Sequence, residues 1–304
     1  MKIAVPDLVS PSYFPAEAAV ELGCFAAHGV DAQIELISPV ERAYAAMREG
    51  AVDFVAGSAH SALSAFPRWQ GAKLLCAQSQ GMYWFLVMRA DLGAKRGDLE
   101  VVKGKRIGAA PWVGMGLKRL LTQAGIDLVR DAVTIAPTPG SLEPRINFGL
   151  AAVEALEAGI VDGFWANGMG ADLAVARGSG TVVLDVRRGD GPAEAFNYTM
   201  ATVATTDRLL AENPTACESA VRAIVDAQKI LAADPARARQ VGEKLFPEVA
   251  DRIEAQIRRD LPFYQAGLTP DFIAGMNRFS RDIGILDADV PYDAVVAEGM
   301  RHLW

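Results

Sequence analysis

Ala46-Met47-Arg48-Glu49-Gly50-Ala51-Val52-Asp53-Phe54-Val55-Ala56-Gly57-Ser58-Ala59-His60-Ser61-Ala62-Leu63 reads as a helix end, a glycine stop, a short buried strand and a small polar loop that opens a new helix. A glycine after a helix supplies the left-handed cap, and Asp53 stands where the strand begins. The same grammar returns about a hundred residues later, from Ala155 through Gly159-Ile160-Val161-Asp162-Gly163-Phe164-Trp165-Ala166-Asn167 to Leu173. Two similar units so far apart predict two similar α/β lobes. In such a fold the loops after the strands face each other across a cleft.

The rest of the chain extends both units. Upstream, Ile3 to Asp7, Ala32 to Ile37, Asp53 to Ala56 and Lys73 to Ala77 alternate with helical patterns at Ala16 to Ala27, Glu41 to Arg48 and Ala59 to Phe66. Short βα alternation of this kind predicts a parallel sheet with covering helices. Tyr83 to Met88 reads as a strand leaving the first lobe, and the charged stretch Arg89 to Lys105 as a hinge. A second alternation follows. Its strands are Arg106 to Ala109, Ala132 to Ala136, Val161 to Trp165 and Thr181 to Asp185. Its helices are Gly116 to Gln123, Phe148 to Ala158 and Met169 to Ala176. Tyr198 to Ala204 reads as the return crossing, and the remainder as helices begun at Asn213-Pro214, Asp234-Pro235 and Thr269-Pro270. The expected fold is therefore two Rossmann-like α/β lobes joined by a two-strand hinge. One lobe is residues 1–88 plus 200–304 and the other is residues 89–199.

Composition narrows the function. The 304 residues carry 51% hydrophobic and 22% charged side chains, a composition of soluble globular proteins. A net charge of −7 with no basic run argues against nucleic acid as a partner. The three cysteines, Cys24, Cys76 and Cys217, are scattered and form no CxxC, so neither a disulfide framework nor a zinc site is expected. No apolar run reaches membrane-spanning length, and the first residues lack the pattern of a secretory leader. Either a leader lies outside this chain or the protein is cytoplasmic.

Candidate site residues come from the loops after the strands. The first lobe offers Ser10-Pro11-Ser12-Tyr13, Ser58-Ala59-His60-Ser61 and Gln78-Ser79-Gln80-Gly81-Met82-Tyr83. The second offers Pro111-Trp112-Val113-Gly114-Met115, Pro137-Thr138-Pro139-Gly140-Ser141 and Trp165-Ala166-Asn167. Hydroxyls, amides and aromatic faces with few charges make a small-molecule pocket rather than an acid/base centre. Ser58 and Gly114 fall near helix starts that favour an anion, though Ser58 can equally be a cap. His60 has neither a nucleophile elbow nor an acid in sequence reach, which favours a ligand-contact or structural role. Arg145 suits a carboxylate, sulfonate or phosphate, with a surface ion pair to Glu143 as the alternative. Trp112 and Trp165 read either as a stacking wall or as core.

Taken in order, several motifs resemble a known family. Phe14-Pro15-Ala16-Glu17-Ala18-Ala19-Val20-Glu21-Leu22-Gly23-Cys24-Phe25-Ala26-Ala27-His28-Gly29-Val30-Asp31 is similar to the opening of solute-binding proteins for nitrate, taurine, alkanesulfonates and thiamine pyrimidines, the NMT1-like group. Gly50 to Asp53, Lys103-Gly104-Lys105-Arg106-Ile107-Gly108, Ala124-Gly125-Ile126-Asp127 and Gly159 to Asp162 resemble later family motifs. The resemblance implies a type II periplasmic-binding-protein fold. It also implies capture of a small organic, anionic or aromatic solute by a monomer that hands it to an ABC permease in the periplasm. By position it implies ligand contacts at Ser12, Tyr13, Ser58, His60, Gln80, Trp112, Gly114 and Trp165. Tyr83, Thr138, Arg145 and Asn167 join them from the loop reading, and no cofactor or metal is expected. The chain departs from the family pattern at Leu142 to Phe148. The alternative is a cytoplasmic enzyme on the same fold: a lyase, a decarboxylase or a pyrimidine-synthase-like protein. The synthase's cofactor lysine has no counterpart in Ala56-Gly57-Ser58-Ala59, and its cysteine cluster is absent.

Overall fold

A computed structural model describes residues 1–143 and 146–304. In chain order it contains β1 (Lys2–Val5), α1 (Phe14–Glu21), α2 (Cys24–Ala27), β2 (Gln33–Leu36), α3 (Val40–Arg48), β3 (Phe54–Ser58), β4 (Ala72–Ser79) and β5 (Phe85–Arg89). There follow β6 (Arg106–Gly108), α4 (Pro111–Gln123), β7 (Thr134–Ala136), α5 (Phe148–Glu157), β8 (Gly163–Ala166), α6 (Gly168–Ala176), β9 (Gly180–Asp185) and β10 (Ala201–Thr206). The chain ends in helices α7 (Asp207–Glu212), α8 (Pro214–Ala233), α9 (Arg237–Leu245), α10 (Ala250–Asp260), α11 (Pro270–Asp282) and α12 (Tyr292–Val295).

Two compact units result: Met1–Gln80 with Thr199–Trp304, and Gly81–Tyr198. Each holds one five-stranded sheet, ordered β2-β1-β3-β10-β4 in the first and β7-β6-β8-β5-β9 in the second. The two orders are the same: second strand, first, third, the strand that follows the passage from the other unit, then fourth. That inserted strand, β10 or β5, runs antiparallel to both neighbours. The sequence reading expected runs of parallel pairing without it, because the inserted strand belongs to a remote part of the chain. Placing the first boundary after residue 88 also differs from the observed passage at 80/81. Phe85–Arg89 pairs with β8 and β9, so its apolar side chains fill the second sheet rather than close the first.

The repeated Gly-x-x-Asp motif has one mechanical task in both units. Gly50 and Gly159 end their helices at φ +76° and +68°, conformations that side chains rarely adopt. The aspartates that follow then clamp the first strand. Asp53 Oδ2 accepts from the Lys2 amide at 2.8 Å, and the Asp53 amide donates to the Lys2 carbonyl at 3.0 Å. Asp162 Oδ2 accepts from the Arg106 amide at 2.9 Å, and its own amide donates to the Arg106 carbonyl at 2.8 Å. Register follows from these clamps, with Ile3 beside Phe54 and Ile107 beside Gly163.

Each unit has its own core. In the first, Phe14, Tyr44, Phe54 and Leu74 are fully buried. The Gln228 amide of α8 donates to the carbonyls of Ala77 and Gln78, tying the C-terminal helices to β4. The outer edge of β4 is covered by the C-terminal segment: Val296 bridges Leu74, and Trp304 Nε1 donates to the Leu75 carbonyl at 3.0 Å. Covering an edge strand removes a template for unwanted pairing. In the second unit Phe85, Val87, Val153, Leu156 and Phe164 form the core of one sheet face.

Candidate functional site

In both sheets the parallel strands end at one edge, where the inserted strand begins. The first unit brings together there Ser10–Tyr13 after β1, Ser58–Ser61 after β3, Ser79 and Gln80 at the end of β4, and Thr199 before β10. Residues 59–66, expected as an α-helix, begin instead as a 3-10 turn, Ala59–Ser64, and Ser58 makes no side-chain cap to it. The Ser58 hydroxyl bonds that of Ser61 at 2.6 Å, so the capping role weighed for it is not what its oxygen does. His60 is fully buried; its Nδ1 lies 3.0 Å from Thr199 Oγ1, and the Phe279 ring stands edge-on to the imidazole at 5.5 Å. A buried ring held by a hydroxyl and an aromatic edge is oriented at the sheet edge.

Ser12 and Tyr13 are buried beside this group. Burial, with the Tyr13 phenol nearby, pushes the Tyr44 hydroxyl far above its ordinary range, against a hydrogen bond with Thr202 that lowers it; it donates to the Ser58 carbonyl at 3.0 Å. The Ser10 hydroxyl is buried with no hydrogen-bond partner. Gln80 is spent differently from what its loop position implies. Its amide nitrogen donates to the carbonyls of Gln265 and Gly267 at 2.8 and 2.7 Å, which leaves only its oxygen for other work.

The second unit gathers Ala109–Trp112 after β6, Thr138 after β7, Asn167 after β8, Val186 and Arg187 after β9, and Tyr83 and Trp84 before β5. Helix α4 starts at Pro111, five residues earlier than its expected start. Trp112 and Gly114 therefore sit in its first turn rather than in a loop, with Trp112 half-buried and Gly114 buried against Ala109. Proline at the first helical position explains the early start, since its missing N–H is not needed there. Trp165 is fully buried and donates from Nε1 to the Val113 carbonyl at 3.2 Å, so of the two readings weighed for it the core one fits. Trp84 stands 6.3 Å from it, and Tyr83 4.6 Å from Trp84. Asn167 caps α6 through Oδ1, which accepts from the Gly170 amide at 2.9 Å. Thr138 is buried, with a hydroxyl that has no hydrogen-bond partner. Arg145 lies outside the described residues.

Sequence reasoning passed over Arg187. Its Cζ lies 5.4 Å from the centre of the Tyr83 ring, and it is the one buried lysine or arginine among the described residues. Cations are rarely buried, and an aromatic face is one of the groups that favour them. The rule that flagged Trp112 and Trp165, a place just after a strand, also flags Arg187 when applied to β9. Thr199 was missed because it acts only beside strands remote in sequence.

The site chemistry is hydroxyls, amides, one imidazole, one guanidinium and aromatic faces. Thiolate chemistry does not fit. Cys24, Cys76 and Cys217 are all buried, and burial raises each thiol above its usual range, Cys217 to about 12. Among the described residues no three of histidine, cysteine, aspartate and glutamate gather to hold a metal, and no helix is long and apolar enough to cross a membrane.

The NMT1/THI5 like family model matches residues 10–238. No curated protein sequence matches the chain. Among solved structures, the chain is similar to a protein from Bordetella bronchiseptica RB50, with 18% identity, 99% of this chain and 96% of that one covered, and a TM-score of 0.77. It is similar to the alkanesulfonate-binding protein SsuA from Xanthomonas axonopodis pv. citri bound to MOPS, at 14% identity, 99% and 96% coverage and a TM-score of 0.70. It is also similar to a cysteine-to-serine mutant of the desulfurization enzyme DSZB in complex with biphenyl-2-sulfinic acid, at 16% identity, 99% and 98% coverage and a TM-score of 0.67. Identities this low establish a shared fold.

Proposed function

The chain belongs to the NMT1/THI5-like family, and from that premise we propose that it is a solute-binding protein of an ABC importer. It takes up a small organic anion at the sheet-edge loops of its two units and releases it unchanged to a permease. It works as a monomer in the periplasm. The observation that carries this reading is the pair of matched sheet edges, each lined with hydroxyl, amide and aromatic groups. The second edge adds a buried guanidinium, the complement of a carboxylate or sulfonate. The similarity to a structure bound to MOPS, itself a sulfonate, supports that ligand class. Ser12, Tyr13, His60, Tyr83, Trp112 and Thr138 are the contact residues proposed, with Arg187 as the anion partner. Arg145 is a second candidate for that charge.

A melting screen over carboxylates, sulfonates, pyrimidines and aromatic acids tests the reading, since a ligand at a hundred times its Kd stabilises by about 2.7 kcal/mol. A bound compound recovered chemically unchanged, and lost on Arg187→Gln, supports it. No shift from any anion sinks it. One observation favours a second reading, an enzyme on the same fold: the His60–Thr199 contact at 3.0 Å places a possible base against a hydroxyl. Turnover of a screening hit, abolished by His60→Gln, would replace transport with catalysis. The raised thiols argue that such an enzyme would not use a cysteine nucleophile.

A further inference from the structure

Arg187 is carried by a short turn, Val186–Arg188, that follows β9. Sheet register places it. Phe85 pairs with Asp185 where β5 and β9 run antiparallel, and the same register carried two residues further sets Tyr83 opposite Arg187. The guanidinium accordingly lies 5.4 Å from the centre of the Tyr83 ring. An arginine side chain loses much rotamer freedom when it is fixed, so its backbone has to be held for the guanidinium to stay in place.

Asp185 and Asp190 close the turn across its base. The Asp185 amide donates to Asp190 Oδ2 at 2.7 Å, and the Asp190 amide donates to the Asp185 carbonyl at 3.3 Å. Between them Gly189, at φ +87°, supplies the left-handed step, and its amide donates to the Val186 carbonyl at 3.1 Å. The Asp190 carboxylate is gripped in turn by Arg96, whose Nε lies 3.0 and 2.8 Å from its two oxygens. The Asp190 side chain is only 14% exposed, so water competes little for it. Arg96 belongs to the charged stretch after β5. Its neighbour Gly97 donates to the Val183 carbonyl of β9 at 2.7 Å, which fastens that stretch beside the turn. Asp185 meanwhile pairs with Arg188 at 2.9 Å. Both acids of the turn are thus engaged by arginines other than Arg187.

We propose that Asp190, held by Arg96, is the positioning residue for Arg187: it fixes the Val186–Arg188 turn so that the guanidinium stays against Tyr83 and is presented to an anion. The inference rests on the anion-binding reading of Arg187 and adds two residues that act through it. Magnetic resonance of the intact chain with isotope-labelled arginine reads the placement directly. The Arg187 Nε–H signal, assigned by its loss in Arg187→Lys, should carry a ring-current shift that disappears in Tyr83→Leu. The shift should shrink or vanish in Asp190→Ala and in Arg96→Gln. Arg96 is exposed, so Arg96→Gln keeps the fold and decides the matter alone where Asp190→Ala does not fold. A parent signal without the shift, or one that Arg96→Gln and Asp190→Ala leave unmoved, overturns the proposal. Calorimetry with butanesulfonate gives the second readout. Both variants should bind it about tenfold more weakly, the order of a hydrogen bond to a charged group. Parent-like affinity in both, with binding lost in Arg187→Gln, overturns the positioning role and spares the anion-binding reading. No binding by the parent, with the signal shifting as expected, counts against that reading and supports the positioning role.

Discussion

The strand that follows Gly-x-x-Asp can be compared directly between the two units. Asp53 and Asp162 make the same pair of backbone bonds, to Lys2 and to Arg106, yet the next residue is Phe54 in one and Gly163 in the other. Both occupy the same register position beside the first strand. Phe54 fills the first core with a fully buried ring. Gly163 leaves room for β5, because a Cβ there would lie 2.7 Å from the Val87 carbonyl and would strike the Met88 sulfur. One shared motif thus sets strand position, while the partner strand decides how much volume the next residue has. The ends of these strands diverge further. Ser58 leads into an uncapped 3-10 turn with His60 buried against Thr199, whereas Asn167 caps a full helix.

The largest effect should come from exchanging volumes at the equivalent pair. Phe54→Ala should cost about 3–5 kcal/mol through the cavity it leaves, and Gly163→Ala about 3 kcal/mol through overpacking, both read by urea unfolding. If Gly163→Ala is neutral, β5 does not constrain that position. Removing the clamps should cost less, about 2 kcal/mol each for Asp53→Ala and Asp162→Ala, since each leaves a strand amide without its acceptor. Asp162 should also respond to pH. Burial alone would raise Asp162, but hydrogen bonds from the Arg106 side chain and amide, with the charges of Arg106 and Arg89, outweigh it and hold the acid below its ordinary value. Its stabilisation is therefore present above about pH 3.9 and lost as pH falls through the lower folded value, so Asp162→Asn should flatten acid unfolding.

A smaller effect of opposite sign is expected where the first helices of the units differ. The fourth residue is buried Glu17 in α1 and Gly114 in α4. Burial first, then the charges of Asp7 and Glu21, raise the Glu17 acid well above its ordinary range in the fold, while the unfolded chain ionises near pH 4.3, so its contribution to stability falls as pH rises above that value. Glu17→Gln should then gain roughly 1 kcal/mol at pH 7 and show no gain near pH 3. A loss at pH 7 would show that the acid already has a donor. The smallest contrast is between the loop leaders. Asn167→Ala should cost about 1 kcal/mol as a lost cap, and Ser58→Ala less than about 0.5 kcal/mol without ligand. Equal costs would mean that the Ser58–Ser61 bond serves folding as much as the Asn167 cap does.

Much of the fold was legible because its signals are local. Glycine stops, short apolar runs and the spacing of Asp53 and Asp162 predict two α/β units, and the family match over residues 10–238 agrees with the motifs that suggested it. The cap at Asn213 is likewise local, with the side chain accepting from an amide three residues on. The candidate site was legible only as a set of post-strand loops. That rule reached His60, Trp112 and Thr138 but could not say that Gln80 is occupied or that Trp165 is core. It was not carried to β9, and so it left out Arg187.

What the chain determines by itself is therefore the alternation of elements, their stops and caps, and the membership of a family. These depend on interactions within a few residues. Tertiary structure alone decided that β5 and β10 enter their sheets antiparallel, that His60 meets Thr199 across 139 residues of sequence, that Arg187 covers Tyr83, and that Glu17 is buried without a partner. Each of these depends on which remote surface is brought alongside. Burial and pairing energies are properties of that neighbour as much as of the residue.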